Sequence, residues 1–388
     1  MVVFDHMIPR DAHPKRKLTP RQGTALFNSR TAFRPAAPTG STLSTEWVEE
    51  ATFALARYDY ILLEDYFGLD EPVLDLIPAD RRIIAMTTSK VEHDGGLTVT
   101  HIQTLMKTEA ALYQVIVPSG LDALRLFFEC RSNGIPTDAL TIFAASESQL
   151  WSRFASLVFG ANTITAHPTP SHFASVPTLT GKFGPLQTLA GVRIFGITGN
   201  GVERSLSPAA HNAAYQALGY PGLYLPFPLM TISELEEILD GFSRLGSPLT
   251  GLTTTSPLKE VVSEQAVPNR EIVNETRSAN VLHVGASEWH SDTTDDTGLI
   301  RILEDYSIEV AGKRVSIMGA GGSGRVATAA LLTLGADVSV YNRGETRLKL
   351  AAACLSAPCL PLSAFDSIDV DVIVIFYSHR QEQRGDTI

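Results

Sequence analysis

Between residues 45 and 185, short apolar runs alternate with stretches whose apolar positions recur every three or four residues, the pattern of strands alternating with amphipathic helices. Strands are predicted at 58–63, 82–86, 112–117, 139–143 and 162–165, and helices at 99–109, 121–132 and 147–158. This alternation argues for parallel α/β layering. A complete (β/α)₈ barrel takes about 250 residues, more than this stretch provides, so any barrel here is incomplete. After a Pro/Gly-bearing link at 181–185, a second α/β region opens with a strand at 192–198. Ser207 before Pro208 predicts an N-cap with proline in the first turn of a helix that runs to Leu218 and stops at Gly219. Ser233 and Glu236 make a capping box for a further helix, followed by a strand at 249–253. In a third region, strands at 315–318, 336–341 and 370–376 flank a glycine-rich turn and a helix at 326–334. Residues 1–45 carry Pro9, Pro14, Pro20, Pro35 and Pro38 and the basic Lys15-Arg16-Lys17, but no sustained apolar period. They read as a disordered tail.

The pattern gives four segments: the tail at 1–45, an incomplete barrel-like region at 46–185, an α/β substrate domain at 186–298 and a truncated Rossmann domain at 299–388. Charge narrows the choice of partners. With 31 basic against 42 acidic residues, the net charge of −11 leaves no broad basic face for a nucleic-acid backbone, so no direct DNA binding is expected. No apolar run reaches the roughly 18 to 20 residues of a membrane span. A cytoplasmic or nuclear protein is expected. The three cysteines, Cys130, Cys354 and Cys359, show no metal-ligand spacing and read as reduced thiols, and no metal is expected.

The most specific local pattern is Gly319-Ala320-Gly321-Gly322-Ser323-Gly324, placed after one strand and before a helix and a second strand. In that context G-x-G-x-x-G is a dinucleotide fingerprint: the glycines let the backbone approach a pyrophosphate, and the helix N-terminus meets its charge. Where an NAD site carries an acidic residue for the ribose, this chain has Asn342-Arg343. A guanidinium there suits a 2′-phosphate, which favours NADP.

The runs 196–212 (GITGNGVERSLSPAAHN), 251–259 (GLTTTSPLK), Ser278-Ala279-Asn280 and 292–298 (DTTDDTG), together with the glycine turn and Tyr341-Asn342-Arg343, resemble shikimate dehydrogenase, in that family's order. The resemblance implies that Ser205 and Ser207 bind a substrate carboxylate, that Lys259 and Asp295 are the catalytic pair, and that Asn280 meets the ring hydroxyls, with Thr255 in the family's N-V-T-x-P-x-K position. Gly319, Gly321, Gly322, Gly324, Asn342 and Arg343 would hold NADP. Two family asparagines are replaced by Thr253 and Thr293, and Gly344 stands in the third position of the family's N-R-T. The family continues beyond the strand at 370–376, so the resemblance implies room here for the adenosine half of NADP only.

The region before it is similar to type I 3-dehydroquinase at 58–65 (YDYILLED) and at Arg153 with Phe159-Gly160-Ala161-Asn162. Gln114 and Thr88 stand where that family has its Schiff-base lysine and its histidine, and neither can do that chemistry. No dehydroquinase activity is expected. The order of the two regions resembles the C-terminal end of the fungal pentafunctional arom polypeptide and the fungal quinate repressor. That resemblance implies a non-catalytic sensor of quinate, shikimate or dehydroquinate acting through a transcriptional activator. The alternative is an NADP-dependent shikimate or quinate dehydrogenase interconverting 3-dehydroshikimate and shikimate.

Overall fold

A computed structural model of the chain describes residues 2–7, 29–34, 48–49, 52–53, 55–56, 59–64, 71–87, 99–159, 164–166, 192–285, 287–366 and 370–376. The chain forms two compact units. The first comprises Met1–Ile197, Gly201–Leu229 and Ser233–Leu249, and the second Thr198–Asn200, Met230–Ile232 and Thr250–Ile388. This division cuts across the boundaries expected at 185/186 and 298/299.

The first unit is built on a seven-stranded sheet of β1 (Val2–Met7), β2 (Ser29–Arg34), β3 (Tyr60–Glu64), β4 (Arg82–Thr87), β5 (Leu112–Val117), β6 (Leu140–Ala144) and β7 (Ile164–Ala166), in the order β6-β5-β4-β3-β2-β1-β7. Every ladder in it is parallel. Helices α1 (Glu71–Leu76), α2 (Val99–Leu105), α3 (Gly120–Ser132) and α4 (Trp151–Val158) lie in the connections. All of β6 is buried, as are Ile83, Ile84, Ala85 and Met86 of β4. Such strands read as continuous apolar runs because both faces of a parallel sheet are covered. Among the described residues no ladder joins the edge strands β6 and β7. The parallel α/β layering expected here is present, with β1 to β6 in consecutive order and β7 on the far side of β1; a barrel is not shown. The strands β1 and β2 fall within the stretch 1–45, whose other residues lie outside the described ones.

The same unit holds β8 (Arg193–Thr198) except for Thr198, α5 (Ser207–Ala217), β9 (Gly222–Phe227) and α6 (Ile232–Arg244) except for Ile232, with β8 beside β9. An aromatic cluster explains why they join it. Trp151 meets Phe227 edge-on with ring centroids 5.2 Å apart, Phe242 packs on Phe159 at 4.9 Å and on Phe227 at 5.8 Å, and all four are buried. Rings of this size dominate core energetics, and here they come from positions almost 100 residues apart. The N-cap expected at Ser207 is shifted: Ser207 is already helical, Leu206 is the cap, and Ser205 Oγ accepts from the Ser207 amide at 3.1 Å. The α6 helix opens at Ile232, one residue before the expected Ser233.

In the second unit, β10 (Leu249–Thr254), β11 (Val267–Pro268), β12 (Val281–Val284) and β13 (Trp289–Asp292) run in the order β11-β13-β12-β10. They are accompanied by α7 (Leu258–Gln265), α8 (Glu271–Thr276) and α9 (Asp295–Asp305). A separate parallel sheet contains β14 (Arg314–Met318), β15 (Asp337–Asn342), β16 (Cys359–Pro361) and β17 (Val372–Ile375), in the order β16-β15-β14-β17. Helix α10 (Gly322–Thr333) joins β14 to β15, and α11 (Glu345–Cys354) joins β15 to β16. This is the doubly wound order of a Rossmann half, with the topological switch beside β14. Its core is Val315, Ile317, Leu331, Val338 and Val340, all buried.

Candidate active site

The polar centre of the second unit is assembled by two chain turns. From β10 the chain passes through Thr255 and Pro257 into α7, whose second residue is Lys259. From β13 it passes through Thr293 and Thr294 into α9, whose first residue is Asp295. The two strands are tied to the segment between them: Thr254 N donates to Asn280 O at 2.8 Å, and Asn280 N to Asp292 O at 3.0 Å. Lys259 Nζ consequently lies 2.6 Å from Asp295 Oδ2, with side-chain exposures of 14% and 23%. That burial strengthens the attraction while leaving both groups open to a ligand. The other carboxylate oxygen, Oδ1, accepts from Asn280 Nδ2 at 2.7 Å. A carboxylate at a helix N-terminus is also favoured by the helix dipole.

Asn280 has no donor left over. Its amide also donates to Thr294 Oγ1 at 3.1 Å, and its Oδ1 accepts from Thr294 N at 2.9 Å. In the structure Asn280 thus holds Asp295 and the start of α9. A further clamp comes from Arg270, which donates to Asp292 Oδ1 at 2.7 Å and grips both oxygens of Asp296 at 2.8 and 3.1 Å. Hydrogen bonding to Asp296, ahead of the smaller contribution from Asp292, raises the Arg270 pKa above its ordinary value.

The glycine-rich turn follows β14. Gly319 adopts φ +121°, which favours glycine, and a Cβ at Gly324 would run into the Gly319 carbonyl oxygen. Both glycines are needed for α10 to start this close to the strand. Gly321 is the N-cap and Gly322 the first helical residue. Asn342 braces the turn, accepting from Ala320 N at 3.3 Å and donating to Gly344 O at 2.9 Å. Arg343 is exposed beyond β15, and Arg347 Nη1 lies 3.8 Å from where a Cβ on Gly321 would stand. The free amides of the first turn of α10, backed by two guanidinium groups, fit the phosphates of NADP. The buried Arg325 of α10 donates to Thr276 O at 2.7 Å, Ala320 O at 3.1 Å, Arg277 O at 3.1 Å and Glu260 Oε1 at 3.0 Å.

The second unit therefore brings together Lys259, Asp295, Asn280 and the glycine turn, and it also contains Thr255, whose amide donates to Thr198 O at 2.9 Å. Ser205 and Ser207, both half-buried, belong to the first unit. Ser323, Arg270, Arg325 and Arg347 are not singled out by the sequence. Only Arg347 has a local signal, lying four positions after Arg343 at the start of the helix that follows β15. Thr88 of the dehydroquinase-like reading lies outside the described residues, and Gln114 is buried in β5. Among the described residues no group of His, Cys, Asp and Glu could hold a metal ion, and no helix is long and apolar enough to cross a membrane.

Residues 197–282, which include Ser205, Ser207, Thr255, Lys259 and Asn280, match the family described as the shikimate dehydrogenase substrate binding domain. The shikimate dehydrogenase (NADP(+)) of Natronomonas pharaonis is 36% identical over 155 residues, covering 40% of this chain and 56% of that protein. The protein of the same name from Thermococcus kodakarensis is 38% identical over 160 residues, covering 41% and 57%. The crystal structure of shikimate dehydrogenase from Aquifex aeolicus aligns at 27% identity over 49% of this chain and 70% of that one, with a TM-score of 0.43. The chain spans a little over half the length of the two curated relatives. These relatives are named for an NADP-dependent reaction. They overturn the expectation of a non-catalytic, quinate-repressor-like sensor acting through a transcriptional activator, and they lend nothing to a dehydroquinase reading of residues 46–185.

Proposed function

We propose that this chain serves NADP-dependent oxidoreduction of a hydroxylated cyclohexene carboxylate, interconverting 3-dehydroshikimate and shikimate. The observation that carries this reading is the Lys259–Asp295 contact at 2.6 Å, half-buried in a unit that also presents a dinucleotide-type turn. NADP, when bound, supplies the hydride acceptor. In the oxidising direction Lys259, in its neutral form, takes the proton of the reacting hydroxyl; in the reducing direction its ammonium returns that proton to the carbonyl oxygen. Asp295 holds the ammonium in place and is itself fixed by Asn280. Arg270 keeps the start of α9 from drifting, which matters because a loss of about 1 Å in placement can cost on the order of 10²-fold. In this reading Thr255 offers a hydroxyl to the acid, and residues 299–388 form the nucleotide-binding part, with Arg343 and Arg347 meeting the 2′-phosphate.

The test uses the purified chain with shikimate and NADP, following NADPH by absorbance and binding of each ligand by calorimetry, with quinate in a parallel arm. Turnover that disappears in Lys259→Ala is expected. Absence of both turnover and binding in the unaltered chain would overturn the reading, and turnover of quinate alone would reassign the substrate.

A further inference from the structure

We propose that Ser323 is a positioning residue tying the glycine-rich turn to the Lys259 ammonium, so that an anionic group held at the N-terminus of α10 and the orientation of Lys259 are coupled. This rests on the oxidoreductase reading above. Lys259 Nζ has two partners in the structure, Asp295 Oδ2 at 2.6 Å and Ser323 Oγ at 2.7 Å. Ser323 occupies an unspecified position of G-x-G-x-x-G, so the fingerprint itself assigns it no role. Its place is nevertheless distinctive: it is the second residue of α10, in the turn whose amides lack intrahelical partners.

The direction of the bond is what makes coupling possible. An ammonium can only donate, so Ser323 Oγ is the acceptor and its own proton remains free for a second bond. An anionic oxygen seated before α10 can accept that proton. Hydrogen bonds in such a chain polarise one another, so occupancy of the turn strengthens the hold on Lys259, and a fixed Lys259 pre-orients the hydroxyl for the anion. By linkage the effect is the same in both directions.

Packing removes the slack that would decouple the two. A side chain at Gly322 would strike Ser278 Oγ and come within 3.4 Å of Lys259 Cδ, so the turn lies directly on the stem of the lysine. Two residues beyond Ser323, the buried Arg325 bonds Glu260, the neighbour of Lys259, and also the Ala320 carbonyl within the turn. A displacement of the turn is thereby transmitted to the start of α7.

Competitive acylation of lysines, read by mass spectrometry against the exposed Lys349, measures the state of Lys259 without requiring turnover. Ser323→Ala in the ligand-free chain is expected to raise Lys259 labelling about tenfold, the scale for losing one hydrogen bond to a charged group. Saturating NADP is expected to protect Lys259 several-fold in the unaltered chain and in Ser323→Thr, which keeps the hydroxyl, but not in Ser323→Ala. Equal protection in all three, no protection in any, or loss of protection in Ser323→Thr overturns the coupling. Protection that depends on Ser323 in a chain that never oxidises shikimate leaves the coupling standing and removes the proposed reaction. Turnover with labelling indifferent to Ser323 does the reverse.

Discussion

The parallel sheet of the first unit and the polar centre of the second both bury hydroxyls, amides and charged groups, yet they use them in opposite ways. In the first unit these groups close gaps in nearby backbone. Ser156 Oγ donates to Ile142 O at 2.6 Å, Thr141 Oγ1 to Tyr113 O at 3.3 Å, and Ser152 Oγ accepts from Ala144 N at 3.0 Å. Arg153 covers the Phe143 ring with its guanidinium carbon 3.9 Å from the centroid. Around Lys259 in the second unit the side chains close on one another, through Asn280, Asp295, Lys259 and Ser323, and the two charged groups, Asp295 and Lys259, stay partly exposed. A buried polar group bonded to backbone has no partner to exchange; one bonded to another mobile side chain can trade it for a ligand. The partner, more than the burial, separates packing from chemistry.

The sharpest way to break this contrast is to remove one group from each region. Lys259→Ala is expected to lower turnover by roughly 10²- to 10⁴-fold, the range for losing a positioned proton donor. Asp295→Asn, which keeps the shape but not the charge, should fall in the same range. Gln114→Ala in β5 should leave turnover unchanged. A drop in NADPH formation from Gln114→Ala comparable to that from Lys259→Ala would mean that the parallel sheet around β5 takes part in the reaction.

Arg325 tests whether the two regions respond independently. Its guanidinium is fully buried and bonded to three carbonyls and to Glu260, and its removal leaves those carbonyls without their donor, at about 1 to 3 kcal/mol for each buried acceptor left unsatisfied. Arg325→Ala should therefore speed amide exchange through β14, α10 and β15 while β4, β5 and β6 keep their rates. Slowed folding or faster exchange in β4–β6 as well would show that the units are not energetically separate. A smaller effect is expected from Arg270→Ala. Asp296, itself buried, loses its cation, the start of α9 loosens, and turnover should fall about tenfold, as for one charge-assisted bond. Asp295 would still be present, so Arg270→Lys should recover part of the rate, and the KM for the acid should change less than kcat.

Much of the first unit was legible before any coordinates. The runs at 82–86 and 112–117 are strands for the reason given by their composition: they are mostly apolar, interrupted only by Arg82 at the start of one and Gln114 within the other. The glycine turn was legible because both its strand and its helix are local. What could not be read is whatever depends on contacts between distant residues. Trp151, Phe227 and Phe242 do not mark themselves as partners, so the boundary expected near residue 185 ignores the cluster that crosses it. Asn280 was legible as a polar residue in a family run, but its saturation by Thr294 and Asp295 is a matter of geometry. Ser323 and Lys259 lie 64 residues apart, and nothing in either local pattern points to the other.

The finest version of the contrast concerns thiols. Cys130 is completely buried in α3 of the first unit, and burial, with a lesser contribution from Glu129, pushes its pKa up to about 12. In the second unit Cys354 and Cys359 are only half-buried; burial, then proximity to Cys354, raises Cys359 as well. A thiol whose folded pKa exceeds its unfolded one binds its proton more tightly when folded. Its contribution to stability is therefore complete below the unfolded value of about 8.5 and is lost as pH rises towards about 12. In that window the unfolded chain ionises first and the fold is drained of stability. Tyr215, raised by burial, pulls in the same direction at higher pH, so the informative quantity is the difference in pH slope between the unaltered chain and Cys130→Ala, read from urea midpoints. The unaltered chain should lose stability more steeply above pH 8.5 or so, and at neutral pH Cys130 should be alkylated more slowly than Cys354. Equal slopes, or Cys130 reacting first, would mean that the α3 face of the first unit opens more readily than the polar centre of the second, and the assignment of packing to one region and exchangeable contacts to the other would have to be reversed.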